Sequence, residues 1–476
     1  MQISVFLLFS TATFITENTN RYFNFVPFVH KNIDMDFSVE HLSREQLFDL
    51  QSERLRDLVK YCEEKSTFYQ QKFEEMGISS ADIKTIDDIR KLPITTSHDL
   101  RANYPLGMLT VPKNELKRIH CSSGSTGKPK VIGYTASDLE IFSEVVARSL
   151  NAAGAKPGME LHNAYGYGLF TGGLGLHYGA EKLGMHVLPI SGGNTARQVD
   201  LIMDLQPEVI CCSPSYALTI ADEMQSRGIS SKGCSLKYAV LGSEAWTESI
   251  RDYVEERLGV HATNIYGLSE IIGPGVANED WEEKGASYIW EDHFYPEILD
   301  PKTKENVPFG KQGVLVLTTL TKRGMPMIRY WTNDITSLFY DPNSKRNMVK
   351  MNPIVGRADD MLIVRGVNVY PTQIEEVFTH IDGILPNYYL TPVEKQAMTI
   401  RLEVDVEVGA EFVRQHNVSK GTEEYDEWMH KYGNLVQAEI KKRVGITTLV
   451  KVHEEDSLPK NTGGKINRIL KKKVVD

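Results

Sequence analysis

MHVLPISGGNTARQVDLIMDLQPEVICC, residues 185–212, decides the fold. Its two ends, Met185 to Pro189 and Val209 to Cys212, are short apolar runs with the length of buried strands. Thr195 to Leu205 between them reads as a helix. Tyr238 to Leu241 and Val314 to Leu317 repeat the strand pattern further along. Strands separated by helices predict an α/β domain with a largely parallel sheet, because parallel neighbours need a crossover connection. Cys211 and Cys212 lie inside an apolar run and are expected to pack as small hydrophobes.

Before this region, Ser43 to about Gly77 is predicted helical. Leu47, Leu50, Leu55, Leu58 and Val59 recur near helical spacing, followed by Phe68, Tyr69 and Phe73. Near the other end the texture changes. Thr399 to Val408 alternates polar and apolar residues, the pattern of a half-exposed strand, and a charged helix follows with Val436, Ile440 and Val444 on one face. A chain of 476 residues exceeds what one hydrophobic core serves. The expected organisation is a large N-terminal α/β domain of layered sheets and helices, residues 35–357, and a small C-terminal α+β domain, residues 358–476. Residues 1–34 stand apart. Ser4 to Ile15 is apolar, but no Lys or Arg precedes it and no A-x-A site follows, so a secretion signal is not expected. Translation is expected to begin at Met35, leaving 1–34 as an extra segment.

The formal charge of −10 argues against a nucleic-acid partner, because phosphate backbones need a basic face. Lys465, Arg468, Lys471, Lys472 and Lys473 do form a local basic cluster, either a solvated end or a contact for one phosphorylated ligand. Cys62, Cys121, Cys211, Cys212 and Cys234 include no CxxC pair, which predicts free thiols in a reducing cytoplasm. No apolar run is long enough to span a bilayer, so no membrane association is expected.

The strongest local feature is Cys121-Ser122-Ser123-Gly124-Ser125-Thr126-Gly127-Lys128-Pro129-Lys130. Small residues let the backbone approach a ligand, hydroxyl and N–H groups can ring phosphate oxygens, and lysines supply charge. It is not a Walker loop, because Ser122 occupies the first glycine position and Pro129 stands where a magnesium-binding hydroxyl belongs. Gly166 to Thr171 fails the Rossmann pattern at its third glycine. A plain surface loop is the alternative. Three segments follow in order. Asn264-Ile265-Tyr266-Gly267-Leu268-Ser269-Glu270 sets an aromatic, a tight glycine and an acid after a strand, and Glu270 suits magnesium or an exposed salt bridge. Arg329-Tyr330-Trp331-Thr332-Asn333-Asp334 ends in an acid that could accept from ribose hydroxyls or merely mark a turn. Gly356-Arg357-Ala358-Asp359-Asp360 lies where the texture changes.

These segments, in this order and with Leu458-Pro459-Lys460-Asn461-Thr462-Gly463-Gly464-Lys465, resemble the acyl-adenylate-forming ligases from about Leu42 to Ile469. Tyr165 to Gly173, Gly242 to Trp246, Tyr266 to Val276 and Trp290 to Phe294 resemble the branch that activates phenylacetate. The resemblance implies two steps: a carboxylate attacks the α-phosphorus of ATP, and the thiol of CoA then displaces AMP from the acyl-adenylate. It implies that Ser122, Ser123, Gly124, Ser125, Thr126, Gly127 and Lys128 hold the β- and γ-phosphates, and that Glu270 helps bind Mg2+. Ser243, Glu244 and Tyr266 would bracket the adenine, with Gly267 and Ser269 of the same segment beside it. Asp334 would take the ribose hydroxyls, with Arg357 close to them. Lys465 would be the main catalytic residue of adenylation, and Asp359 the hinge acid about which the small domain turns between steps.

Tyr165, Phe170 and Ile271 are candidates for the slot of an aryl acid, with Gly172 and Gly173 leaving room for a ring, and each could equally be core. Two departures stand out. Trp331-Thr332-Asn333-Asp334 replaces the usual Arg-Thr-Gly/Arg-Asp, and Met361-Leu362-Ile363-Val364 lacks the basic residue often found there. Delivery to a carrier protein or another acceptor, and a non-catalytic nucleotide-binding homologue, stay open as alternatives. A homodimer through the large domain is the expectation carried by the resemblance.

Overall fold

The computed structural model describes residues 35–476 apart from 123–128, 360–361, 365–366, 396–397, 460–467, 471–472 and 475–476. Met35–Asp476 is one compact unit, and residues 1–34 lie outside the described residues. The predicted helix over Ser43 to Gly77 is two helices, Arg44–Lys65 and Thr67–Met76. Ser43 caps the first in a reciprocal box with Gln46. Ser66 accepts from the Tyr69 N–H and starts the second, which ends at Gly77 with φ 64°. A serine hydroxyl competes for backbone N–H groups, so Ser66 restarts the helix where apolar spacing alone reads straight through.

The reading of residues 185–212 matches the structure as strand His186–Leu188, helix Thr195–Leu205 and strand Val209–Cys212, the last buried at all four residues. Both strands belong to a nine-stranded sheet. Its order is Leu338–Phe339, Lys350–Met351, Glu283–Ile289, Gly273–Asp280, His261–Leu268, Tyr238–Gly242, Val209–Cys212, Glu160–Asn163, His186–Leu188. From His261–Leu268 to His186–Leu188 the pairings are parallel, and the rest are antiparallel. The sheet is therefore mixed where a largely parallel one is expected, because hairpins extend one side without crossover helices. Val314 to Leu317 lies in Gly313–Thr319 and joins a different, four-stranded antiparallel sheet with Phe294–Leu299, Tyr330–Thr336 and Gly356–Arg357. An apolar run reports burial on both faces, not the identity of its neighbours.

Toward the C-terminus, Met398–Val408 pairs with Ile384–Lys395 and Thr448–Glu454. Leu402, Val404, Val406 and Val408 are buried in one cluster with Val436 and Ile440 of helix Glu423–Val444. At the other end, the first helix is fastened to the Trp290–His293 segment. Arg44 donates to both Glu291 carboxylate oxygens at 2.6 and 2.9 Å, and the Gln51 amide donates to the Glu291 carbonyl at 3.0 Å.

Candidate active site

Several of the candidate residues that the structure describes gather where the parallel strands end. A Cβ on Gly242 would lie 2.3 Å from the Ile265 carbonyl oxygen, so the bare backbone lets two strands close up there. Ser243 follows with φ 70°, turning the chain out of the sheet. The Glu244 carboxylate accepts from the Ser215 N–H at 3.2 Å and its hydroxyl at 3.0 Å, at the start of helix Pro214–Ser226. Unpaired N–H groups and the helix dipole both favour an anion at that end.

Strand His261–Leu268 runs through Tyr266 and Gly267 instead of ending before them. Tyr266 opposes Ala277, the register shifts, and Gly267 opposes Pro274. A Cβ on Gly267 would sit 1.9 Å from the Gly273 carbonyl oxygen. Gly267→Ala is therefore expected to destabilise the protein by about 3 kcal/mol, since a backbone carbonyl cannot step aside as a side chain can. Urea unfolding of the variant checks this. A midpoint equal to that of the parent would show that the bulge tolerates a side chain.

Beyond Gly267, the Tyr266 hydroxyl donates to Asp334 Oδ2 at 2.6 Å, and Arg357 Nη1 to Asp334 Oδ1 at 3.2 Å. Burial raises the Tyr266 hydroxyl well above its ordinary range and the Asp334 charge adds to this, so the phenol remains a donor. Asp334 does not mark a turn. It lies within strand Tyr330–Thr336, paired to Arg357. Arg357 also grips Asp359 through Nε and Nη2, both at 2.8 Å, so Tyr266, Asp334, Arg357 and Asp359 form one hydrogen-bonded chain.

Glu270 is buried, not exposed. Its carboxylate is ion-paired with Lys130 and accepts from the Tyr330 hydroxyl at 3.2 Å. Burial alone would raise this carboxyl, but the charge and hydrogen bond of Lys130 bring it below its ordinary value. Behind it, buried Lys322 donates to the Glu270 carbonyl at 3.0 Å and lies 4.9 Å from the centre of the Tyr134 ring. Burial pushes the Lys322 ammonium down to about 8, against the pull of Asp138 and Glu270. The Tyr134 hydroxyl donates to the carbonyls of Ser269 and Ile272 at 2.9 and 3.0 Å. Sequence reading missed Lys322, because a lysine between a threonine and an arginine gives no periodic sign of burial.

The glycine-rich loop springs from a hairpin in which Cys121 opposes Val131 and the Ser122 N–H donates to the Lys130 carbonyl at 3.0 Å. The Ser122 hydroxyl is buried without a partner among the described residues. Ser123, Gly124, Ser125, Thr126, Gly127, Lys128 and Lys465 lie outside the described residues. Beside the loop, His120 Nδ1 faces the Leu169 carbonyl at 3.1 Å, which ties the hairpin to the aromatic segment; sequence reading did not single it out.

The three aryl-slot candidates sit in different surroundings. Ile271 is wholly buried in the main core, Phe170 is 56% exposed, and the Tyr165 hydroxyl is buried with no hydrogen bond of good geometry among the described residues. A Cβ on Gly173 would lie 2.5 Å from the Gly166 carbonyl, whereas one on Gly172 would touch the Tyr165 ring at an ordinary 3.5 Å. The Ser269 and Thr171 hydroxyls are 3.2 Å apart and join this segment to Glu270. Together the site offers a buried ionised carboxylate, a second acid held by a phenol and a guanidinium, and lysines close by. That set suits a polyanion with a hard cation and a pair of hydroxyls.

Residues 48–321 match the AMP-binding enzyme family, and residues 366–473 match the AMP-binding enzyme C-terminal domain. The phenylacetate-coenzyme A ligase of Thermus thermophilus is 53% identical over 91% of this chain and 98% of that protein. The phenylacetate-coenzyme A ligase of Escherichia coli is 44% identical over 89% of this chain and 95% of that protein. Among solved structures, a 2-hydroxyisobutyryl-CoA ligase in its postadenylation state shares the fold with a TM-score of 0.83, at 24% identity and 91% coverage of both chains. Among the described residues no helix is long and apolar enough to cross a membrane. By these matches the chain belongs to the AMP-binding enzyme family and, within it, to the family of the phenylacetate-coenzyme A ligases.

Proposed function

We propose that the chain is an AMP-forming acid–CoA ligase that activates phenylacetate or a close aryl acid. One observation carries the reading. Strand Tyr330–Thr336 links the two acids of the site: the Tyr330 hydroxyl donates to buried Glu270, and Asp334 accepts from the Tyr266 hydroxyl. In the first step a carboxylate oxygen attacks the α-phosphorus of ATP and pyrophosphate leaves. In the second the CoA sulfur attacks the acyl carbon and AMP leaves. The protein's part is orientation and charge stabilisation.

Asp334 accepts from the ribose hydroxyls, and Arg357 stands beside them. Ser243, Glu244, Tyr266, Gly267 and Ser269 line the nucleotide, and the loop from Ser122 to Lys128 holds the outer phosphates. Tyr165, Phe170 and Ile271 border the aryl acid. Glu270, whose carboxyl is held below its ordinary value by Lys130, supplies the ionised oxygen donor that a hard divalent cation prefers. Mg2+ bound there would draw charge from the phosphates, while Lys130 and Tyr330 keep the carboxylate in place. The large domain, 35–357, and the small domain, 358–476, turn about Asp359 between steps. Five free cysteines support work in the cytoplasm, and light scattering tests the homodimer carried by the resemblance.

Acid-dependent ATP–pyrophosphate exchange with phenylacetate, hydroxyphenylacetate and indoleacetate tests the first step, and AMP release on adding CoA tests the second. Exchange without CoA-dependent release would move the acyl group to another acceptor. No exchange with any acid would leave a nucleotide-binding protein.

A further inference from the structure

Trp331 and Asn333 replace the Arg and Gly or Arg usual in the family the sequence resembles, and here Asn333 bonds the hinge acid while Trp331 bonds Asn333. Trp331 is buried in a cluster with Leu299, Val314, Val316 and Ile335, and the Lys304 ammonium lies 3.3 Å from the centre of its ring. The indole is thereby fixed, and its Nε1–H donates to Asn333 Oδ1 at 2.7 Å. An indole N–H can only donate, so Asn333 must turn its oxygen there and its amide hydrogens the other way. Asn333 Nδ2 then donates to Asp359 Oδ2 at 3.2 Å. The Asn333 backbone is left-handed at φ 70°, a conformation asparagine tolerates, and its carbonyl accepts from the Ala358 N–H at 2.7 Å.

We propose that Trp331 and Asn333 form a latch that holds the hinge acid Asp359 against the large domain and so sets the balance between the two working conformations. The proposal rests on the hinged two-step reading above. Both are positioning residues, acting through Asp359 and not on substrate. A rotation that carries Asp359 away from Asn333 breaks a charge-assisted hydrogen bond made beside the Arg357–Asp359 pair, so the latch adds to whatever that pair contributes in favour of the closed arrangement. Loosening it shifts the population toward the other arrangement by the factor the bond supplies.

The test compares Asn333→Ala and Trp331→Phe with the parent in two single-turnover assays. One follows adenylate formation from acid and ATP, and the other thioester formation from supplied acyl-adenylate and CoA. In Asn333→Ala the ratio of the two rates is expected to shift by about five- to tenfold, one rate falling while the other holds or rises. Trp331→Phe, which removes the indole donor together with part of the packed ring, should shift the ratio the same way by a smaller factor. A parallel fall of both rates in both variants, or a ratio within about twofold of the parent in Asn333→Ala, overturns the latch. Asp359→Pro, which restricts the hinge backbone, separates the two ideas. Slowing of one half-reaction alone keeps the hinge and leaves the latch to be judged by Asn333→Ala. Equal slowing of both, or of neither, sinks the hinged reading itself.

Discussion

Replacing Lys465 by alanine is expected to lower acid-dependent ATP–pyrophosphate exchange by about 10²–10³-fold while thioester formation from supplied acyl-adenylate stays within a few-fold of the parent. Adenylation brings a carboxylate against a phosphate, and the negative charge that gathers between them needs a compact movable cation. Lys465 follows Gly463-Gly464, a pair that gives a loop reach. The expected asymmetry between the two steps would follow from how the flanks of this segment are held. Before it, the Pro459 carbonyl accepts from the Tyr389 hydroxyl at 2.9 Å. After it, the Leu390 N–H donates to the Arg468 carbonyl, and the Leu470 N–H to the Leu390 carbonyl, both at 2.8 Å. Both flanks are thus anchored on strand Ile384–Lys395, so under the proposed two-domain reading Lys465 would move with the small domain. A residue that serves one orientation is dispensable in the other. Equal losses in the two half-reactions would remove Lys465 from this role and return it to the basic surface of the tail.

Residues 185–212 were legible because strand and helix there are set by neighbours in sequence, and periodicity reports such neighbours faithfully. Sheet membership was not legible for Val314 to Leu317. Its partners, Phe294–Leu299 and Tyr330–Thr336, are chosen by long-range pairing that an apolar run does not encode. The site divides in the same way. Asp334 and Glu270 could be picked from their segments, yet turn against strand, and exposed against buried, were undecidable without their partners. Tyr330 and Lys130 lie far from Glu270 in sequence, and nothing local announces either contact. Lys322 is the extreme case, a charge whose burial rests on Tyr134 and on the backbone of Glu270. Trp290 to Phe294 stood out as a segment of the phenylacetate branch, but its work shows only when Arg148 and Glu40 are brought beside it.

Arg148→Met is expected to cost about 3–5 kcal/mol of folding stability, toward the lower end of that range. Arg148 is buried, with Nε 3.0 Å from Glu40 Oε1 and Nη1 at 3.0 and 3.2 Å from the two Asp292 oxygens. Its guanidinium lies 4.5 Å from the centre of the Trp290 ring. Both acids are buried too, so removing the cation leaves two carboxylates short of charge in a poorly solvated place. They are not stranded completely. Glu40 keeps Arg346 at 2.6 Å, and Asp292 keeps Arg54 at 3.5 Å and His293 at 3.2 Å, which is why the lower figure is expected. Two causes compete for the loss, missing charge and missing packing on Trp290, and pH separates them. Burial raises the Asp292 carboxyl, but His293, Arg148 and Arg54 together hold it down to about 2, below its ordinary 3.8. Its stabilisation is therefore fully present above 3.8 and is lost as pH falls through about 2. Without Arg148 the folded-state value rises, so Asp292 takes up a proton on mild acidification and the uncompensated charge disappears. Urea unfolding of parent and variant at pH 7 and at about pH 4 should then show a smaller penalty in acid. A penalty unchanged between the two would assign the loss to packing on Trp290, because dispersion contacts do not titrate.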